Sequence, residues 1–175
     1  MPLTFSLVFD IIPKGDKNMK LETKQQISQT VAAFRLPRYN EIPNVGLYLE
    51  QTTKYINQRL EPLGFAEVTG SMVRNYVKMG LVASPDHKQY NADHIAYLIS
   101  TVILKHVLSL EHIHTMFSMQ VKVYTVPVAY DYFCAELENV LFYQFDLKDT
   151  VEHIGVTFSR EKTMLRSAII AVSHI

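Results

Sequence analysis

Between Thr69 and Ser100 the chain reads TGSMVRNYVKMGLVASPDHKQYNADHIAYLIS, and helical spacing sorts the first part of it into two sides. Met72, Val73, Tyr76 and Val77 fall on an apolar side, and Ser71, Arg74, Asn75 and Lys78 on a polar one. Thr69 or Ser71 is placed to cap this helix by accepting from its free amides. Gly80 stops it, and Leu81-Val82 turn back toward a core. The polar stretch Ala83–Gln89, with Pro85, Asp86, His87 and Lys88, predicts a hairpin before Tyr90 and Asn91 lead into a new apolar helix.

The same reading extends in both directions. Leu21–Phe34 turns from polar to apolar and predicts a short helix, and Arg35–Asn44, with Pro37 and Pro43, predicts a loop. Gly46–Leu60 carries Leu47, Leu49, Thr52, Ile56 and Leu60 near helical spacing, and Glu61–Val68, with Pro62 and Gly64, connects it to the next helix. Asn91 is a good N-cap for Ala92–Val107, with Asp93 at the positive end of the helix dipole. Ser109 caps Leu110–Gln120, Pro127 opens Val128–Phe145, and Ser159 caps Arg160–Val172. Val128–Phe145 is apolar nearly all round, so it is either buried in its own chain or covered by a second subunit. There is no internal repeat and no long linker.

A short helix offering Arg, Asn and Lys side by side, then a polar hairpin, then a helix, predicts a winged helix-turn-helix in a mostly α chain. Its polar face holds the residue types that reach base edges and phosphates in a major groove. Charge tempers this. The 175 residues hold 17 Lys+Arg and 17 Asp+Glu, so the chain as a whole does not attract nucleic acid or membrane. Within Ser71–Tyr90, Arg74, Lys78 and Lys88 outnumber Asp86, which leaves room for a specific binder with a modest salt dependence.

Three further classes are disfavoured. One cysteine, Cys134, forbids an intrachain disulfide and suits a reducing cytoplasm; in its apolar helix it reads as an inert buried thiol. No apolar run approaches a membrane span. MPLTFSLVFDII lacks a positive start and a cleavage site and contains Asp10, so it is not read as a signal peptide. Codons for Lys14–Asn18 can spell a purine-rich element, and translation is expected to start at Met19, with Met1–Asn18 a misassigned extension.

The chemistry of catalysis and metal binding is poorly represented. His106, His112 and His114 invite a metal site, but His112 and His114 point to nearly opposite sides of a helix, and there is no HExxH or CxxC. No Gly-rich phosphate loop or Gly-x-Ser-x-Gly elbow is present. Glu136, Glu138, Asp146, Asp149 and Glu152 read as solvated helix ends and faces, and the chain as a non-enzyme without cofactor. Tyr124, Tyr130, Tyr132, Phe133, Phe142, Tyr143 and Phe145 are expected in core or interface rather than around an effector.

Met72–Val82, MVRNYVKMGLV, resembles the MerR-family signature, in which an Arg-aromatic-Tyr run leads into a Gly-Leu turn, and Tyr90–Ile95 resembles that family's entry to the helix after the wing. The longer run from Leu36-Pro37-Arg38-Tyr39 through Ser109-Leu110 is similar to a bacterial domain-of-unknown-function family with a MerR-like winged helix. The resemblance implies a dimeric transcription regulator that reads duplex DNA. It puts Arg74 and Asn75 on a recognition helix, with Tyr76 packed or touching the backbone, and Lys88 and its neighbours on the wing. Asn75 replaces the usual aromatic, Lys78 falls near expected acidic positions, and Lys88-Gln89 stand where the wing usually has Arg. The paired-cysteine loop of metal-responsive members is missing.

The expected contact set is therefore Ser71, Arg74, Asn75, Tyr76, Lys78, His87, Lys88 and Tyr90. The expected organisation is an extension with a short helix over 1–35, a MerR-like winged helix over 36–120, and a helical dimerisation region over 121–175. A protein-interaction module that kept this fold but lost DNA affinity is the alternative.

Overall fold

A computed structural model describes residues 28–145, 147, 149 and 160–172 of the chain. Those residues form seven helices and one two-stranded sheet. The helices are α1 (28–33), α2 (Leu49–Leu60), α3 (Gly70–Lys78), α4 (Ala92–Leu104), α5 (Leu110–Gln120), α6 (Val126–Gln144) and α7 (Arg160–Val172). The strands β1 (Leu47–Tyr48) and β2 (Gln89–Tyr90) pair antiparallel, with Leu47 opposite Tyr90 and Tyr48 opposite Gln89.

The expected caps are in place. The side-chain oxygens of Thr69, Asn91 and Ser109 accept from the backbone N–H of Met72, His94 and Ser109's third successor His112, at 3.3, 3.2 and 3.2 Å. Gly80, at φ +73°, ends α3: its N–H donates to Val77 O, and that of Leu81 donates to Tyr76 O, both at 3.0 Å. This is the paired closure that only a left-handed residue after the helix permits.

Boundaries differ where tertiary pairing overrules local spacing. The helix expected from Gly46 starts at Leu49, because Leu47 and Tyr48 are taken by β2 as a strand. The helix expected to reach Val107 ends at Leu104, whose carbonyl accepts from Val107 at 3.1 Å and Leu108 at 2.9 Å; the tightened turn lays His106 flat on Phe65, with ring centroids 4.2 Å apart. Helix α6 begins at Val126, and Pro127 sits in its first turn, where no amide donor is needed. Residues 21–27 of the first expected helix, Ser159 as a cap, and the extension 1–18 lie outside the described residues.

One apolar core runs from Val31 to Val172 and crosses residue 120 without a break. Its centre is α4, in which Ile95, Leu98, Ile99, Val102, Ile103 and Leu104 are fully buried. Helix α4 is contacted by α2, β2, α5, α6 and α7. The apolar sides of α6 are thus covered by the chain's own helices, chiefly α4 and α7.

Two glutamates of α6 are corrected from solvated to buried. Glu136 is 0% exposed and meets the buried Arg166 of α7, Oε1 to Nε 2.8 Å. Glu138 accepts from Arg38 through both carboxylate oxygens, at 3.0 and 2.7 Å, and from the backbone N–H of Leu36 at 3.2 Å. Glu138 is thus both paired and hydrogen-bonded, the condition under which a buried charge is retained, whereas burial raises the Glu136 carboxyl and Arg166 opposes that rise. Asp149 is exposed as expected, and Asp146 and Glu152 fall outside the described residues. The loop carrying Arg38 is stitched down further, since Tyr39 donates its N–H to Asp131 of α6 at 2.7 Å and its O–H to Asp93 of α4 at 2.6 Å. Burial, then that bond to Asp93, pushes the Tyr39 phenol up to about 12.

Glu138→Ala removes all three acceptor contacts and should lower stability by about 2–3 kcal/mol, read as a shifted urea midpoint with an unchanged slope. Cys134 is fully enclosed, and burial raises its thiol to about 12. It should resist a disulfide-exchange reagent at pH 8 in the folded chain and react at once when the chain is unfolded.

Candidate functional site

Two helices and a hairpin bring the polar residues together. Asn57 of α2 fixes the connection into α3: its Oδ1 accepts from Val68 N–H at 2.8 Å, and its Nδ2 donates to Val68 O at 3.0 Å. Helix α3 then buries Val73 and Tyr76 against the core and leaves Ser71, Arg74, Asn75 and Lys78 exposed, spaced along one face. Ser71, Arg74, Asn75, Lys78, His87 and Lys88 of the expected set are all at the surface.

Tyr76 and Tyr90 are not. They are 3% and 4% exposed, and they leave the accessible face because their rings anchor α3 and β2 in the core. Burial raises the Tyr90 phenol, while the nearby Arg74 guanidinium opposes that rise. Arg74 and Tyr90 line the same groove.

The hairpin is held to α4 by His94. Its Nε2 lies 3.3 Å from Ser84 O, its Nδ1 lies 2.6 Å from Asn91 Oδ1, and its ring meets Tyr90 edge-on at 5.6 Å. The turn itself is Asp86-His87-Lys88-Gln89, closed by Gln89 N–H donating to Asp86 O at 2.7 Å. His87 and Lys88 take φ of +47° and +66°, the two left-handed positions that glycine or asparagine usually fills in so tight a hairpin. The cost of that conformation is tolerated at the residues whose side chains the turn displays. Glycine is required at Gly46, just before β1, because a Cβ there would lie 2.7 Å from Gln89 Cβ.

Between α3 and the hairpin runs an open groove of about 440 Å³, lined by Tyr48, Leu49, Arg74, Val77, Pro85, Lys88 and Tyr90. It joins two of the expected cations, Arg74 and Lys88. It also adds Tyr48, 55% exposed, which sequence reading placed inside a helix and so missed. The one available signal was Tyr48's pairing with Gln89 in the hairpin strand, which is invisible at helical spacing.

Elsewhere the surface offers less chemistry. Among the described residues, no three His, Cys, Asp or Glu side chains are grouped to hold a metal, and no helix is long and apolar enough to cross a membrane. His112 and His114 are exposed on α5. Of the aromatics expected in core or interface, Tyr130 and Phe133 are buried, and Tyr132, Phe142 and Phe145 pack partly against the core. The small apolar pocket beside Tyr124 and Tyr132 has about 80 Å³ of space, well short of the roughly 300–1,000 Å³ of a drug-sized ligand site.

Fold and site define a mostly helical protein whose chemically equipped surface is one short helix face and the strained turn beside it. The family model described as Domain of unknown function (DUF1836) matches residues 37–133, and the chain belongs to that family. The match takes in α2, α3, the hairpin, α4 and α5 and ends inside α6, so it spans the groove and includes Arg38 but stops short of its partner Glu138. No curated protein and no solved structure matches the chain.

Relief of the turn gives a direct test of its strain. Lys88→Gly should stabilise the chain by about 1 kcal/mol, seen as a higher thermal midpoint, while removing a cation from the groove.

Proposed function

We propose that this chain is a sequence-specific duplex DNA-binding transcription regulator, acting as a homodimer through a MerR-like winged helix-turn-helix. Helix α2 is the first helix of that motif, α3 the recognition helix, and the turn at His87-Lys88 the tip of the wing. The observation that carries the reading is that Ser71, Arg74, Asn75 and Lys78 stand exposed along one face of α3, with Lys88 sharing a groove with Arg74. Arg and Asn carry the donor geometry that pairs with guanine and adenine in the major groove. Lys78 and Lys88 supply point charges for phosphates. A two-fold dimer would then impose the spacing of paired half-sites.

The rival reading, a protein-interaction module on the same fold, draws on a specific observation. The groove walls include Leu49, Val77 and Pro85, and the chain's acids balance its bases. An acidic peptide with apolar side chains would suit such a groove.

Selection of bound duplexes from a random DNA pool separates the two, with the Arg74→Ala/Lys78→Ala protein run in parallel. The DNA reading expects a palindromic motif from the wild type and none from the variant. Arg74→Ala alone should cost roughly 1–3 kcal/mol and relax one position of the motif, whereas Lys78→Ala should weaken all sequences evenly. No enrichment at low salt, where phosphate attraction is strongest, would favour the protein partner.

A further inference from the structure

Tyr48 is the one aromatic among the exposed large apolar side chains of the described residues. Its backbone is nevertheless held by three contacts. Its N–H donates to Gln51 Oε1 at 2.9 Å, its carbonyl accepts from the Thr52 hydroxyl at 3.1 Å, and it stands opposite Gln89 in the ladder. A tyrosine that is held rigid and left wet presents a flat apolar body and a polar tip without the ordering cost of a long flexible side chain. Here the ring lines the same groove as Arg74 and Lys88.

We propose that Tyr48 is a third anchor for the nucleic-acid backbone: its phenol O–H donates to a phosphate oxygen of the strand held by Lys88, and its ring forms the wall against which that strand lies. This rests on the DNA reading above. The amides at the start of α2 are a poorer phosphate site, because the exposed Glu50 stands in that first turn, so the phenol ahead of them makes the contact. A neutral donor gives the contact a recognisable signature. A lysine that neutralises a phosphate releases a counterion and steepens the salt dependence of binding, whereas a hydroxyl adds affinity and leaves the slope alone.

The test uses the full chain and a fluorescent duplex carrying the selected motif, or a 30-base-pair random duplex at low salt if selection yields none. Dissociation constants are measured across a salt series for the wild type, Tyr48→Phe, Tyr48→Ala and Lys88→Ala, with circular dichroism confirming that each is folded. Tyr48→Phe should bind about 10-fold more weakly at every salt concentration, with an unchanged slope and an unchanged motif. Lys88→Ala should lower the slope by about one. Wild-type affinity in Tyr48→Phe overturns the phosphate contact while leaving the DNA reading intact, even if Tyr48→Ala is weak. Absence of binding by the wild type at low salt removes the DNA reading itself, and leaves the groove to an acidic peptide.

Discussion

Helix α4 has almost no solvent face, since eleven of its thirteen residues are buried. A helix apolar on every side cannot be stable until it is walled on every side, and that requirement organises the chain. Helices α2 and the hairpin strand close it from the front, while α5, α6 and α7 close it from behind. The front and back of the molecule are therefore halves of one core. A boundary near residue 120, natural when the chain is divided by motif, does not coincide with any break in the packing.

The same helix places the surface that carries chemistry. Asn91 caps α4, His94 reaches from its first turn to Ser84, and Tyr90 enters the core just before it. The hairpin is thus fixed at its base to the buried helix α4, while His87 and Lys88 of its turn are exposed. On the other side, Asn57 ties α3 to α2 through both backbone groups of Val68. The separation of Arg74 and Lys88 across the groove follows from those attachments more than from anything the two cations do. A site whose supports are elsewhere can present unpaired donors without losing its shape.

Much of this was legible from residue order, for a reason that also explains what was not. Thr69, Asn91, Ser109 and Gly80 act on their own helix ends, and the two-sided spacing of α3 depends on neighbours three and four residues away. Such signals are local. Leu47-Tyr48 failed as a helix start because their partner lies some forty residues on, at Gln89-Tyr90. Glu136 and Glu138 failed because a carboxylate declares its burial only through a distant cation, Arg166 or Arg38. Tyr76 and Tyr90 have the composition of contact residues and the positions of core residues, and burial decided between them.

Balanced overall charge is usually taken as evidence against nucleic-acid binding, but it bears chiefly on the sequence-independent part of the affinity. Specific readout, as proposed for this chain, needs only a small number of donors held in fixed register. His87 and Lys88 accept left-handed backbone that glycine would take without strain, and the turn they form sets Lys88 across the groove from Arg74. Local conformations that lower stability persist where surrounding structure imposes them and the displayed side chains matter. A loosely tethered basic tail would raise attraction to any polyanion. A strained turn bolted to a buried helix would discriminate by geometry, and that difference is the physical argument behind the proposed ligand of this face.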